Sequence, residues 1–338
     1  MRLRIRTALL GIVVLGSACA AAPKIYSGGI AVTGRAAGPP AIKLQRDDKA
    51  GKLQVSIGGR EAFIYQYAGT LDLPHYWPMR SPGGKNMLVQ MTEPYPHHRS
   101  FWFADTVRLN GGREVSPYNA YYTGREIKPK VKYEAPFKDR IRHVEFTKAE
   151  AKDARAVIEA KLIWEMDGGV PLLEEKRTMT VHALGEGEYF LDVAFVLTAV
   201  GDEVAFVSDE VHYAWPYLRL EKIWSGENGG KITSDTGAEG EKETNLAFAK
   251  WIDYSNTVEG EAAGAAVFQY PDWANHRWLT REYGCFGPRR PDGVSGKPFL
   301  LTKGGTIKQR VGVLVHKGDV KAGRVAERYE DYVKDKWR

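Results

Sequence analysis

Alternation of apolar and polar residues with a period of two dominates the chain after residue 40. Segment 52–57 alternates and ends at Gly58-Gly59, which is typical of a strand and its turn. Segments 155–166 and 176–183 alternate on either side of Asp167-Gly168-Gly169, a sequence that predicts a hairpin. Frequent glycine turns without interleaved amphipathic helices favour an antiparallel β-sandwich over a parallel α/β sheet. Further strands are predicted at 189–200, 264–270 and 306–316.

Convincing helical spacing is found only near the end of the chain. Val325, Tyr329 and Tyr332 recur at intervals of three or four residues, and Asp319 is predicted to cap the start of a helix. Segment 227–243 is rich in Gly, Glu, Lys and Thr and is predicted to be a long surface loop between strands. We therefore expect an all-β protein with one C-terminal helix packed on the sandwich.

The first twenty residues have the order of a secretory signal. Three arginines in residues 1–6 precede an apolar stretch at 8–15 and small residues at 16–20. We predict a signal peptide at 1–20, a flexible lead-in at 21–40 and a single β-sandwich domain at 41–338. The expected location is the periplasm or the extracellular space. Cleavage after the small residues and a lipid anchor on Cys19 are the two alternatives for the mature end.

Composition and charge narrow the class of partner. The net charge of +6 includes the three arginines of the predicted signal, and the remaining basic residues are interleaved with acids, so nucleic-acid binding is not expected. No later apolar run is long enough to span a membrane, so no transmembrane segment is predicted in the mature chain. Removal of the signal leaves only Cys285, which excludes an intramolecular disulfide. The nine tryptophans and seventeen tyrosines suit a surface on which a sugar stacks.

The segment 95–103 contains the densest group of side chains that could take part in catalysis or ligand binding. It contains two adjacent histidines, an arginine and several aromatic rings, and histidine is the side chain that titrates near neutrality. Pro94 and Pro96 disfavour regular strand pairing and predict a loop laid over a sheet end. The structural alternative is a loop whose aromatic rings are core and whose histidines bond to the backbone.

Two later segments could complete an acid/base site. Glu210 and His212 alternate onto one face of a predicted strand, where a carboxylate and an imidazole could exchange a proton with a substrate. The alternative is an ion pair on a solvated strand. The candidate catalytic residues are His97, His98, Glu210, His212 and His276, and the candidate substrate-binding residues are Arg99, Trp102, Trp278, Arg281 and Tyr283.

Each candidate has an expected role. Glu210 is the predicted general base and a histidine the general acid, while Arg99 or Arg281 holds a ring oxygen or a carboxylate. Trp102 or Trp278 stacks on a sugar face. No cofactor is expected. A divalent metal such as zinc is an alternative, because the four histidines and Glu210 could supply three ligands, although no close ligand spacing fixes the geometry.

Several of these segments carry a resemblance to a known family. The chain resembles the bacterial family DUF6807, also labelled "PmoA-like", and the resemblance covers most of the mature chain. Its most specific parts are 96–99 and 281–284. The methane-oxygenase label is set aside, because a membrane oxygenase needs several transmembrane helices. The other matching segments are 102–103, 209–210, 251–255, 268–272, 276–278 and 313–319.

From this resemblance and the β-rich pattern, the fold looks like the galactose-mutarotase type of antiparallel β-supersandwich. That fold is frequent among carbohydrate epimerases, lyases and hydrolase accessory domains. It implies an exported carbohydrate-active protein that acts on a sugar or glycoside by general acid/base chemistry, of the hydrolase or lyase type. A sugar epimerase, a metal-dependent hydrolase and a non-catalytic carbohydrate-binding protein are the alternatives.

Overall fold

Two large antiparallel sheets pack against each other in the computed structural model. The model describes residues 39–118, 126–127, 131–132, 137–207, 214–271, 276–290 and 298–337. Residues 38–338 form one compact unit. In neighbour order, the eight strands of the first sheet are β1 (Ile42–Asp47), β2 (Lys52–Ile57), β3 (Arg60–Gln66), β4 (His75–Met79), β5 (Phe101–Trp102), β15 (Tyr217–Arg219), β20 (Cys285–Pro288) and β19 (Trp278–Thr280).

The second sheet contains the long strands of the predicted hairpin. Its eight strands, in neighbour order, are β10 (Arg140–Lys152), β11 (Arg155–Met166), β12 (Val170–Gly185), β13 (Glu188–Ala199), β22 (Thr306–Lys317), β18 (Glu261–Gln269), β17 (Trp251–Val258) and β16 (Lys231–Ser234). A small sheet is formed by β21 (Phe299–Thr302), β14 (Glu203–Phe206), β6 (Val107–Leu109) and β7 (Glu114–Val115). A two-stranded ribbon joins β8 (Glu126–Ile127) to β9 (Val131–Lys132).

The core lies between the two large sheets. The rings of Tyr254 on β17 and Phe286 on β20 stack with centroids 4.2 Å apart, and Phe63 on β3 meets Tyr189 on β13 at 6.1 Å. Phe286 lies opposite Leu218 in the register of the first sheet. Because side chains alternate along a strand, the neighbours of Leu218 on β15 must point away from the second sheet.

Helices are few and short among the residues that the structure describes. They are α1 (Gly240–Thr244) and α2 (Val325–Val333), with 3₁₀ turns at Lys222–Trp224 and Gly226–Asn228. Helix α2 covers the outer face of the second sheet, where Tyr329 and Tyr332 pack on Phe268. Strands make up 54% of the described residues and helices 8%, so the predicted all-β, antiparallel class with a C-terminal helix is confirmed.

Two local predictions need correction. Asp319 accepts the N–H groups of Lys321 and Ala322 and so caps a preceding turn, while α2 begins only at Val325, after Arg324 adopts a left-handed conformation with φ of 51°. The predicted loop at 227–243 instead contains β16 and α1, because the backbone of 231–234 pairs with β17. In the described ranges, no helix is long and apolar enough to cross a membrane.

Candidate functional site

The segment 89–99 forms a folded loop that is fixed to β15. The N–H of Met91 donates to the carbonyl of His98 at 3.0 Å and closes the loop. The N–H of Val89 donates to the carbonyl of Arg219 at 3.2 Å, and the N–H of Arg219 donates to the carbonyl of Ser100 at 2.7 Å. The predicted proline-containing loop is therefore present, and it lies against the outer face of the first sheet.

Arg99 holds this loop from beneath. Its side chain is only 3% exposed, and one guanidinium nitrogen forms an ion pair with Asp72 at 3.2 Å. Another nitrogen donates to the carbonyls of Pro96 at 3.2 Å and His97 at 3.4 Å. All of these contacts lie within the protein. The structure thus gives Arg99 a positioning role in place of the predicted contact with a substrate.

Aromatic rings form a layered group on the outer face of the first sheet. Trp102 on β5 lies opposite Tyr217 on β15, and their rings stack 4.5 Å apart with an interplanar angle of 9°. The His98 ring lies 5.3 Å from Trp102 and stacks on Tyr95 at 5.0 Å. Tyr283 meets Tyr95 at 5.2 Å. We call this set, together with Arg219, the His98 cluster: Tyr95, His98, Trp102, Tyr217, Arg219 and Tyr283.

Arg219 determines the protonation of His98. The Nη1 atom of Arg219 lies 3.2 Å from His98 Nδ1. A guanidinium can only donate a hydrogen bond, so Nδ1 must accept it. Burial lowers the pKa of His98 well below its usual value, and the neighbouring His97, Arg219 and Arg99 add to this effect. The neutral ring therefore carries its proton on Nε2. His98 can donate a hydrogen bond near neutral pH.

His97 is also held neutral. Burial lowers its pKa to about 4, and the nearby Arg99 and Arg219 add to the effect. Neither histidine of the loop is therefore expected to carry an imidazolium near neutral pH, and the acid role for a histidine stays a prediction.

Three other predicted residues lie outside the cluster. Trp278 is completely buried and its indole N–H donates to the carbonyl of Ala249 at 2.8 Å, so it has no open face for stacking. His276 is 3% exposed, and burial lowers its pKa to about 4. The Arg281 guanidinium donates to the carbonyl of Thr280 at 3.0 Å. Of the predicted set, the structure brings together His97, His98, Trp102 and Tyr283.

Glu210 and His212 lie outside the described residues, so their predicted place beside this loop stays a prediction. In the part of the chain that the structure describes, no three His, Cys, Asp or Glu side chains are grouped closely enough to hold a metal ion. The thiol of Cys285 is buried, and burial raises its pKa to about 12, which makes it a poor nucleophile.

Sequence reasoning missed Tyr217 and Arg219. Both lie on β15, where Leu218 between them faces the core. The alternating order Tyr-Leu-Arg-Leu at 217–220 was an available signal, because it places an aromatic ring and a guanidinium on one face of a strand. What the order alone cannot reveal is the pairing of β15 with β5, which brings these side chains next to Trp102.

The family follows from comparison with known proteins. The model of the family of unknown function DUF6807 matches residues 52–330. The chain belongs to this family. The resemblance found in segments 96–99 and 281–284 is thereby confirmed for DUF6807. No curated protein was found to be similar to this DUF6807 chain.

Solved structures share part of the layout of this DUF6807 chain. One is the GH36 α-galactosidase AgaB from Geobacillus stearothermophilus, with 9% identity, a TM-score of 0.49 and coverage of 83% of this chain and 42% of that chain. Another is an α-galactosidase from Lactobacillus brevis, with 7% identity, a TM-score of 0.42 and coverage of 83% and 40%. The chain thus spans about two fifths of the length of these proteins.

Proposed function

We propose that the chain is a carbohydrate-active protein that holds a sugar ring on the His98 cluster. The observation that carries this proposal is a partly exposed layer of rings, Tyr95, His98 and Tyr283, backed by the buried Trp102 and Tyr217. Flat rings take the C–H face of a sugar, while a neutral imidazole N–H bonds to a hydroxyl. The predicted signal peptide supports a place of action in the periplasm or outside the cell.

The packing beneath these rings favours binding with little rearrangement. The stacked pair of Trp102 and Tyr217 lies under His98, and Arg99 fixes the loop that carries it. A side chain that is already ordered loses little further conformational entropy when a ligand arrives. The indole N–H of Trp102 is buried and has no hydrogen-bond partner among the described residues. It is a further donor that a sugar hydroxyl could satisfy after a small shift of the cluster.

Catalysis is the finer part of the proposal. We assign Glu210 the role of general base in a hydrolysis or elimination, since a carboxylate is the group that the described part of the cluster lacks. The second candidate is a non-catalytic carbohydrate-binding protein. The lowered pKa values of His97 and His98 favour this second candidate, because they leave these residues without an acid form near neutral pH.

Two substitutions separate binding from turnover. Tyr283→Ala is expected to weaken the binding of an oligosaccharide about tenfold, because it removes one ring of the layer. Glu210→Gln is expected to retain affinity and, if the chain is an enzyme, to lower turnover by roughly a hundredfold or more. Calorimetric titration and product analysis over a panel of plant and bacterial polysaccharides measure the two effects.

The matched control is Phe248→Ala, which removes a ring that is 50% exposed elsewhere on the molecule. It should leave both affinity and turnover unchanged. If Tyr283→Ala binds sugars as well as the unaltered chain does, the His98 cluster is not the binding site.

A further inference from the structure

Arg219 is a buried cation without a carboxylate partner. Its side chain is 5% exposed, yet no carboxylate in the described ranges forms an ion pair with it. Two comparably buried arginines show the usual arrangement: Arg99 pairs with Asp72 at 3.2 Å, and Arg177 pairs with Glu175 at 2.7 Å. Buried charges are normally paired, because removing a charge from water is costly. Arg219 departs from the arrangement of Arg99 and Arg177, and this difference requires an explanation.

The contacts that Arg219 does make are to neutral groups. Its guanidinium carbon lies 5.4 Å from the ring centroid of Tyr95 and 5.4 Å from that of Tyr283. Nη1 donates to the carbonyl of Tyr95 at 3.4 Å and to His98 Nδ1 at 3.2 Å. The attraction of ring faces for a cation offsets part of the cost of burial but supplies no opposite charge.

The remaining donors lie on one edge of the guanidinium. Nε is buried without a hydrogen-bond partner, and Nη2 donates to none of the described residues. The Nε and Nη2 hydrogens point in parallel, the arrangement that binds both oxygens of a carboxylate. Because Nε is closed to solvent, contact with both oxygens requires a neighbouring side chain to shift.

We infer that Arg219 recognises an anionic group, and that the ligand of the His98 cluster is a sugar with a carboxylate, such as a uronic acid unit. This inference rests on the proposed function. A planar carboxylate presents two oxygens to the flat, two-donor edge of Arg219. The sugar ring would lie on Tyr95 and Tyr283, with its carboxylate directed at Nε and Nη2.

The charge states of the neighbouring residues make Arg219 the expected source of a preference for acidic over neutral sugars. His97 and His98 are held neutral near pH 7, and Arg99 already has Asp72 as its counter-ion. The nearby guanidinium of Arg281 donates to Glu241 at 3.4 Å. Among these groups, Arg219 is the cation whose charge is not already compensated, so the loss of Arg219 should remove discrimination between acidic and neutral sugars.

Calorimetric titration with matched ligands tests this inference. The probes are oligogalacturonate and oligoglucuronate, their methyl esters, and the corresponding neutral oligomers of galactose and glucose. The free acids are expected to bind roughly ten- to a hundredfold more tightly than the esters or neutral oligomers, the range for a charge-assisted hydrogen-bonded pair. Arg219→Gln is expected to abolish that difference while retaining weak binding of the neutral oligomers.

Further variants separate recognition from a structural role. Arg219→Lys keeps the charge without the two-donor edge and is expected to lose most of the preference. Arg219→Met is expected to leave the melting temperature unchanged or raise it, because it removes an uncompensated buried charge. Arg46→Gln, at an exposed arginine that pairs with Asp48, is the control and should change neither quantity.

The outcomes are distinct. Equal binding of acidic and neutral oligomers, or a preference that survives in Arg219→Gln, overturns the role of Arg219 and leaves the proposed sugar site standing. Failure of the whole panel to bind the unaltered chain overturns the proposed function and this inference with it. Tighter binding of the free acids that disappears in Arg219→Gln supports both.

Discussion

Replacing Glu175 by glutamine is expected to lower the free energy of unfolding by about 3–5 kcal/mol, the range for breaking one side of a buried ion pair. Both Glu175 and Arg177 are completely enclosed, and their atoms Oε1 and Nε lie 2.7 Å apart. Burial alone would lower the pKa of Arg177, but the carboxylate of Glu175, together with Tyr65 and Tyr76, raises it. The other carboxylate oxygen accepts the indole N–H of Trp164 at 2.8 Å. Glutamine cannot replace the lost negative charge.

Urea denaturation of three variants measures this effect. Glu145→Gln breaks an ion pair with Lys161 of the same 2.7 Å length, but on the solvent-exposed surface, and should cause no measurable change. The double variant Glu175→Leu/Arg177→Met should recover most of the stability lost in Glu175→Gln, since it leaves no unpaired charge in the core. A loss in Glu175→Gln as small as that in Glu145→Gln would show that water reaches this pair.

Acidification from pH 7.5 to pH 4 is expected to destabilise the fold by several kcal/mol. Burial lowers the pKa of His75 to about 4 and that of His276 to about 4, whereas histidine in the unfolded chain has a pKa near 6.5. Between these values the unfolded chain binds more protons than the folded chain, so stability falls as the pH falls. Each of these two residues contributes about 3 kcal/mol to the loss.

One histidine acts in the opposite direction. Burial opposes protonation of His316, but its contact with Asp253 at 2.7 Å outweighs burial and raises its pKa. Its stabilising contribution is complete below pH 6.5 and is lost as the pH rises through its folded pKa, so it offsets only part of the acid effect.

Thermal melts across this pH range check the acid prediction. His75→Asn removes a group that binds up to one proton more in the unfolded chain than in the folded chain between about pH 6.5 and about pH 4. The free energy of unfolding is therefore expected to depend less steeply on pH in this variant, by the contribution of up to one proton. A melting temperature that stays constant from pH 7.5 to pH 4, apart from changes at exposed carboxylates, would contradict the assignment of neutral buried histidines.

Local pattern was sufficient to predict the class of fold and six strands, namely β2, β11, β12, β13, β18 and β22. Segment 52–57 is β2 with the bounds Lys52–Ile57, and the hairpin around Gly168 joins β11 to β12. Both predictions rest on alternation and turn chemistry, which are properties of neighbouring residues. The C-terminal helix was found for the same reason, but its start was misplaced because Asp319 caps a turn.

The roles of individual side chains depended on contacts between distant segments. Arg99 was expected to meet a ligand, but its charge is met by Asp72, 27 residues away. Trp278 was expected to stack on a sugar, but β19 places it in the core. Alternation places Arg219 on one face of a strand with Tyr217, but its importance comes from the rings of Tyr95 and Tyr283 that lie against it. Composition and spacing do not contain that information.

A crystal structure of the chain with an oligogalacturonate tests the central claim most directly. We expect a sugar ring against Tyr95 and Tyr283, a hydroxyl within hydrogen-bond distance of His98 Nε2, and a carboxylate on Arg219. A cavity of ≈630 Å³ lies away from the His98 cluster and is lined by residues that include Arg60 and Lys317. A sugar bound there, with the His98 cluster unchanged, would contradict the account.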